Sequence, residues 1–232
     1  MMVFHYKQRN IKHLVPKLKI NNIYIEKVKS FNLLGITIDE NMTYKKHKQK
    51  VASKLAQTIG TMKRLKNFLP TYVMKILYNS LITSHLSYGI LLWGKDIKRL
   101  NKLQKWAVRT MVNGKYNQHT DPIFKKHNII KIADIRKVAI IKFHHKYLNN
   151  ELPSYFEGFF ETNPVNHRYP TRNKNNRKAI PSTVSASQSP AYFIPKEIDS
   201  IDEAIKSKMS THSLQSVAKI AKKLFISKYN LT

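Results

Sequence analysis

Cysteine is absent from the 232 residues. That excludes disulfides, thiolate nucleophiles and cysteine-held zinc, and it allows a reducing compartment. Acids are scarce as well: 13 Asp and Glu face 42 Lys and Arg, a formal net charge of +29. None of those acids lies between Glu40 and Asp96. The aspartates stand at 39, 96, 121, 134, 199 and 202 with no two adjacent, so the clustered carboxylates that hold two metal ions in polymerases are missing. Acidic neighbours occur at Asp39-Glu40, placed where a helix cap or turn explains them, and at Asp202-Glu203. Glycine is limited to six residues, and neither a G-x-x-x-x-G-K-(S/T) loop nor a G-x-S-x-G elbow occurs. No apolar run reaches the roughly eighteen residues of a membrane-spanning helix. The opening MMVFHYKQRN lacks a signal peptide's apolar core and cleavage site and reads as a strand cut off at its start.

What is present is positive charge. A compact form of this chain repels itself unless a polyanion neutralises it. Nucleic acid is the first such partner and an anionic membrane surface the second. Plentiful Asn and Ile also point to AT-rich coding, which leaves open a basic structural or packing protein with no specific partner.

Residues 1–40 read as β. MVFHY is a short strand, and LKINNIYIEKV is a hairpin whose Asn21-Asn22 loop tolerates the positive φ of a tight type I′ turn. In SFNLLGITID, Phe31 and Leu33 share one face, then Leu34, Ile36 and Ile38 take the other, with Gly35 at the change. A parity switch beside a glycine is the pattern of a β-bulge; the alternative is a glycine set near a strand end.

From Tyr44 to Phe68 the period becomes helical, with Val51, Leu55, Ile59, Met62 and Leu65 forming one apolar stripe. The other faces carry Lys45, Lys46, Lys48, Lys50, Lys54, Lys63, Arg64 and Lys66, with no acid to pair them. That favours phosphate contact over an ordinary solvated face. Pro70 stops the helix, and Thr71 is placed to cap the next, TYVMKILYNSLITSHLSYGILLWG, which is apolar nearly all round and expected to be the buried central helix. His85 on it reads as a hydrogen-bonded core histidine. A third helix, from about Ile97 to Val112, turns Leu100, Leu103, Ala107 and Met111 inward and Lys98, Arg99, Lys102, Lys105 and Arg109 mostly outward. A short helix from Pro122 to His127 and a longer one over IADIRKVAIIKFHHKYLNN follow. The adjacent His144 and His145 point about 100° apart on a helix, poor geometry for one metal. The histidines at 47, 119 and 127 have no partner spacing to recommend them. Residues 163–195 hold five of the nine prolines, a basic patch and a Ser-rich run, and read as a long loop or linker. The segment 196–232 carries an amphipathic helix with Leu214, Val217, Ile220, Ala221 and Leu224 on one side. It either docks on the body or lies on a membrane surface.

In order, these segments resemble the end of a reverse transcriptase from a non-LTR retrotransposon of the jockey-like LINE kind. SFNLLGITIDENMTYKKHKQKVASKL is similar to the family stretch that contains the primer grip, with Tyr44 where Trp is usual. MKRLKNFLPTYVMKILYNSLITSHLSYGILLWG resembles the thumb and its continuation, and LQKWAVRTMVNGKYNQHTDPIFKKHNIIKIADI the helical region after it. HRYPTRN and FIPKEI resemble fragments of the usual C-terminal stretch.

The resemblance implies a mainly α fold with a small N-terminal antiparallel β element. A palm remnant (1–40) precedes a helical thumb (41–114), a post-thumb region (115–162), the linker and the C-terminal segment. It implies that Leu33, Leu34 and Gly35 are the primer grip, where a bulge and a glycine let another backbone approach; the alternative is that Leu33, Leu34 and Ile36 are plain core residues beneath the thumb. The family's Asp-Asp hairpin lies upstream of this region, so the chain is expected to be a truncated polymerase with no catalytic residue, no metal ligand and no cofactor of its own; Mg²⁺ belongs to the intact parent enzyme. Its implied partners are RNA, DNA or an RNA/DNA hybrid gripped without sequence readout, and an upstream polymerase half acting in trans. Lys45, Lys46, Lys48 and Lys50 are the first-choice phosphate contacts, with Lys54, Arg64 and Arg99 next. Tyr44 either stacks on a base or packs on the hairpin. An intracellular and nuclear location is implied by the family alone.

Overall fold

The computed structural model describes residues 1–4, 18–160, 190–209 and 211–229. HRYPTRN, most of the 163–195 linker and His5-Tyr6 of MVFHY lie outside them; Met2–Phe4, the described part of that expected strand, are not in a strand. The chain divides into two compact units, Met1–Gly89 with Trp93–Tyr116 and Ile90–Leu92 with Asn117–Thr232. It is mainly helical, and among the described residues the antiparallel strand pairs are confined to 19–39.

In the first unit, β1 (Lys19–Ile20) and β2 (Ile23–Tyr24) form a hairpin around Asn21 and Asn22, whose φ of 48° and 60° are those of the turn their side chains favour. SFNLLGITID corrects the bulge reading. It is not one kinked strand but a second hairpin, β3 (Ser30–Leu33) against β4 (Ile36–Asp39), with Leu34-Gly35 as its two-residue loop. Phe31 pairs with Ile38 and Leu33 with Ile36, so the change of parity is the chain reversing direction. Asp39 closes the exit: its carboxylate accepts from the amides of Asn41 and Thr43 and from the Thr43 hydroxyl.

Helix α1 (Lys45–Leu65) buries Val51, Leu55, Ile59 and Met62, the stripe its period predicts, each worth about 1.5–3 kcal/mol. Leu65 is half-buried, and His47 and Ala52 join the buried face. It packs on α5 (Lys98–Met111), which buries Leu100, Ala107 and Met111 as expected and Gln104 besides; Leu103 is half-buried.

The second apolar segment departs from expectation. Pro70, not Thr71, occupies the cap position of α2 (Thr71–Leu77). A π-helical stretch (Tyr78–Thr83) and α3 (Ser84–Ser87) follow, and α4 (Ile90–Trp93) begins after a break at Gly89. Met74, Tyr78, Ile82 and Leu86 are buried at a constant spacing of four, while Tyr72, Ile76 and Leu81 are exposed. At 3.6 residues per turn such a stripe drifts about 40° per step; the wider i→i+5 turns of the π stretch compensate. The segment is therefore one-sided rather than buried all round. Tyr78 is fully enclosed, its hydroxyl accepting from Gln104 Nε2 at 3.0 Å.

The second unit holds α6 (Asp121–Lys126), α7 (Ile132–Leu148), α8 (Pro190–Asp199), α9 (Glu203–Met209) and α10 (Leu214–Ser227). Residues 190–195, placed by composition in the linker, instead open α8, where Phe193 and Ile194 join Ile198 in the core. Helix α7 packs against α8 and α10, and Val217 and Ala221 of α10 are buried there. The apolar face that membrane binding needs is thus already used. Among the described residues no helix is long and apolar enough to cross a membrane.

Candidate functional site

The β3–β4 hairpin lies across the start of α1 and is tied to it by three hydrogen bonds. Lys46 Nζ donates to Ser30 Oγ (2.9 Å), Lys50 Nζ to Thr37 Oγ1 (3.0 Å), and the Thr37 amide to His47 Nδ1 (3.3 Å). Between hairpin, α1 and α3 runs a groove of about 850 Å³, the size of an ordinary ligand site. Lys46, Lys50 and Lys54 line it from α1 at four-residue spacing, with Asn32 and Gly35 on the hairpin and His85 and Tyr88 opposite. A rise of 1.5 Å per residue sets successive lysines about 6 Å apart along the axis, the row turning about 40° per step.

No carboxylate lines this groove. The ion pairs Lys131–Asp121, Arg136–Glu197, Lys137–Asp134, Lys206–Glu203 and Lys228–Asp202 all lie within 121–228, away from this groove. The hydrogen bonds of Lys46 and Lys50 go to neutral hydroxyls, which an incoming anion displaces more cheaply than a carboxylate. Helix α1 also opens with Lys45, Lys46 and Lys48 and has no acid in its first turn. Cations at the positive end of a helix dipole cost about 0.3–1 kcal/mol apiece. The fold spends stability to hold this charge, and an anion in the groove would offset it.

Of the seven cations singled out from sequence, Lys46, Lys50 and Lys54 come together. Lys45 is exposed outside the groove, and Lys48 turns away, donating to the Lys95 carbonyl at 3.2 Å. Arg64, ten residues beyond Lys54 on α1, and Arg99 on α5 are both exposed and line no part of it. Leu33 and Leu34 are not core residues, since both are exposed; of that strip it is Ile36 that is buried. Gly35 does reach the groove. Tyr44 is half-buried in the left-handed region (φ 55°), and its hydroxyl donates to Met42 Sδ. Burial, then Asp39, pushes its phenol pKa upward.

Three groove features escaped the sequence reading. His47 is 5% exposed and packs on Trp93 with ring centroids 5.5 Å apart. Burial, then the charges of Lys50 and Lys54, lowers its pKa, consistent with Nδ1 accepting the Thr37 amide. Its position one turn before Val51 was the available signal, because it continues the Val51–Leu55–Ile59 stripe. His85 is half-buried on the groove wall rather than set in the core. The Tyr88 hydroxyl donates to the Leu34 carbonyl at 2.6 Å, fixing the turn beside the lysines. In the second unit, His144 Nδ1 lies 3.3 Å from Met209 Sδ and His145 Nε2 bonds the His212 carbonyl. Among the described residues no three metal-binding side chains converge.

Compared with protein-family models, curated proteins and solved structures, the chain finds no match. The groove has to be interpreted from its own chemistry: a row of cations along one side of α1, a hydrogen-bonding wall and no acid.

Proposed function

We propose that this chain grips the phosphate backbone of nucleic acid along α1, as the rear portion of a non-LTR reverse transcriptase, with no polymerase carboxylate cluster among its own residues. The observation that carries the reading is the alignment of Lys46, Lys50 and Lys54 in one acid-free groove beside the hairpin at Leu33–Ile36. Point charges on flexible stems bind phosphates without reading bases, so RNA, DNA and their hybrid are all accepted. The ordered, nearly end-to-end resemblance of the chain to the family supplies the parent activity, RNA-directed DNA synthesis with Mg²⁺ held by an upstream half, and with it an intracellular, nuclear setting. Burial of the α10 apolar face against α7 weighs against the membrane-surface alternative.

Salt dependence tests the grip. Each phosphate neutralised on B-form duplex contributes about −0.9 to the slope of log affinity against log salt. Changing Lys46, Lys50 and Lys54 together to Gln is expected to reduce the slope's magnitude by about 2.7 for three lost contacts. The set Lys45, Lys48, Arg64 and Arg99 is expected to change it less. A triple variant with an unaltered slope puts the phosphates elsewhere, and a wild-type slope of zero removes the proposal. On a primed template with Mg²⁺ or Mn²⁺, the pure chain is expected to add no nucleotide; extension would contradict the account of the missing carboxylates.

A further inference from the structure

The two hairpins use the same turn with opposite chemistry. Asn21 and Asn22 occupy the first at φ 48° and 60°; Leu34 and Gly35 occupy the second at 47° and 79°. Asparagine is at ease there, whereas a bulky side chain is strained. Of the nine non-glycine residues with positive φ among those described, six are Asn or Asp. The other three, Leu34, Met42 and Tyr44, all fall in the short stretch that leads into α1. Leu34 recovers nothing by burial, since it is 82% exposed. Folding alone does not account for a leucine at this position.

Its surroundings do. The Leu34 carbonyl is held by Tyr88, the neighbouring Gly35 lines the groove, and Lys46, Lys50 and Lys54 run along that groove. A ligand for both features carries a row of anions and flat apolar faces on one chain. We propose that Leu34 is an apolar wedge that packs on the face of a nucleobase whose phosphates lie along the lysine row. The inference rests on the grip proposed above and adds a contact to the bases. Protein wedges of this kind insert apolar side chains against base steps, and packing on a base face tolerates any sequence. A fixed turn suits the task, because a backbone already held by Tyr88 loses little freedom on binding.

The test uses the full chain, a labelled 16-nucleotide single strand, and the same strand made abasic throughout its central half. Leu34→Asn keeps the turn and relieves its strain, so its melting temperature is expected to equal or exceed that of wild type. On the base-bearing strand its affinity is expected to fall about tenfold. The salt slope stays unchanged, since no phosphate contact is lost, and the abasic strand shows no difference between the two proteins. Leu34→Met, which retains an apolar tip, is expected to bind like wild type. Equal affinity of Leu34→Asn and wild type for the base-bearing strand overturns the wedge while leaving the grip intact. So does a loss that persists in full on the abasic strand. A loss seen only on phosphatidylserine vesicles assigns the tip to lipid instead, and a wild type that binds neither strand removes grip and wedge together.

Discussion

The Tyr88 hydroxyl donates a 2.6 Å hydrogen bond to the carbonyl of Leu34, 54 residues earlier in the chain. It joins the end of α3 to the tip of a turn whose first residue is strained. Tyr88→Phe removes that bond alone. At an exposed site the loss is expected to be about 0.5–1 kcal/mol, a shift of a few degrees in melting temperature that differential scanning fluorimetry resolves. An unshifted melt would show that the turn is held by its own hairpin.

Gly89 makes the second close approach. Its φ is +62°, and a Cβ there would lie 2.4 Å from Ile36 Cδ1. Gly89→Ala is expected to cost about 1–2 kcal/mol for the left-handed backbone, and more for the crowding. Shortening Ile36 to Val deletes the atom in the way. In that background Gly89→Ala should cost only the backbone share, and a double-mutant cycle measures the difference.

His47 makes the first unit sensitive to acid. Its folded pKa lies below the ordinary histidine value, through burial first and then the charges of Lys50 and Lys54. Between the two pKa values the unfolded chain binds the extra proton, so stability rises with pH in that window. The contribution is complete above about 6.5, declines as pH falls toward the lowered value, and levels off beneath it. Protonation also removes the Nδ1 lone pair that accepts from Thr37. Denaturant midpoints taken between about pH 8 and 5 are expected to fall on the acid side. His47→Gln should flatten that limb, and an unchanged limb would assign it to another group.

The last turn of the second unit offers a control. Tyr229 donates to Asp134 Oδ2 at 2.7 Å and accepts from the Lys131 amide at 3.0 Å. Tyr229→Phe leaves two inward-facing groups without that partner, a loss of about 1–3 kcal/mol. Binding through the α1 groove is expected to keep its salt slope in this variant, as measured by anisotropy.

How far these features were legible in sequence depended on whether one residue type pointed to one geometry. Asn21-Asn22 announced its turn because asparagine favours positive φ, and the Val51–Met62 stripe announced its helix. Leu34-Gly35 hid an identical turn because leucine does not normally open one, so the reversal passed for a bulge. The lysines of α1 were visible, but Lys45 and Lys48 separate from the 46–50–54 line only through helical phase, about 100° per residue. His47 and His85 became groove residues only once hairpin, α1 and α3 were placed together. No local pattern encodes that assembly.

The π stretch at Tyr78–Thr83 makes one wall of the groove a matter of residue count. Losing a single residue there would leave the segment as greasy as before, yet swing everything after it by about 100°. His85 and Tyr88 would rotate off the groove together, and Leu34 would lose its latch. Its exposed side chains can be exchanged; its length cannot.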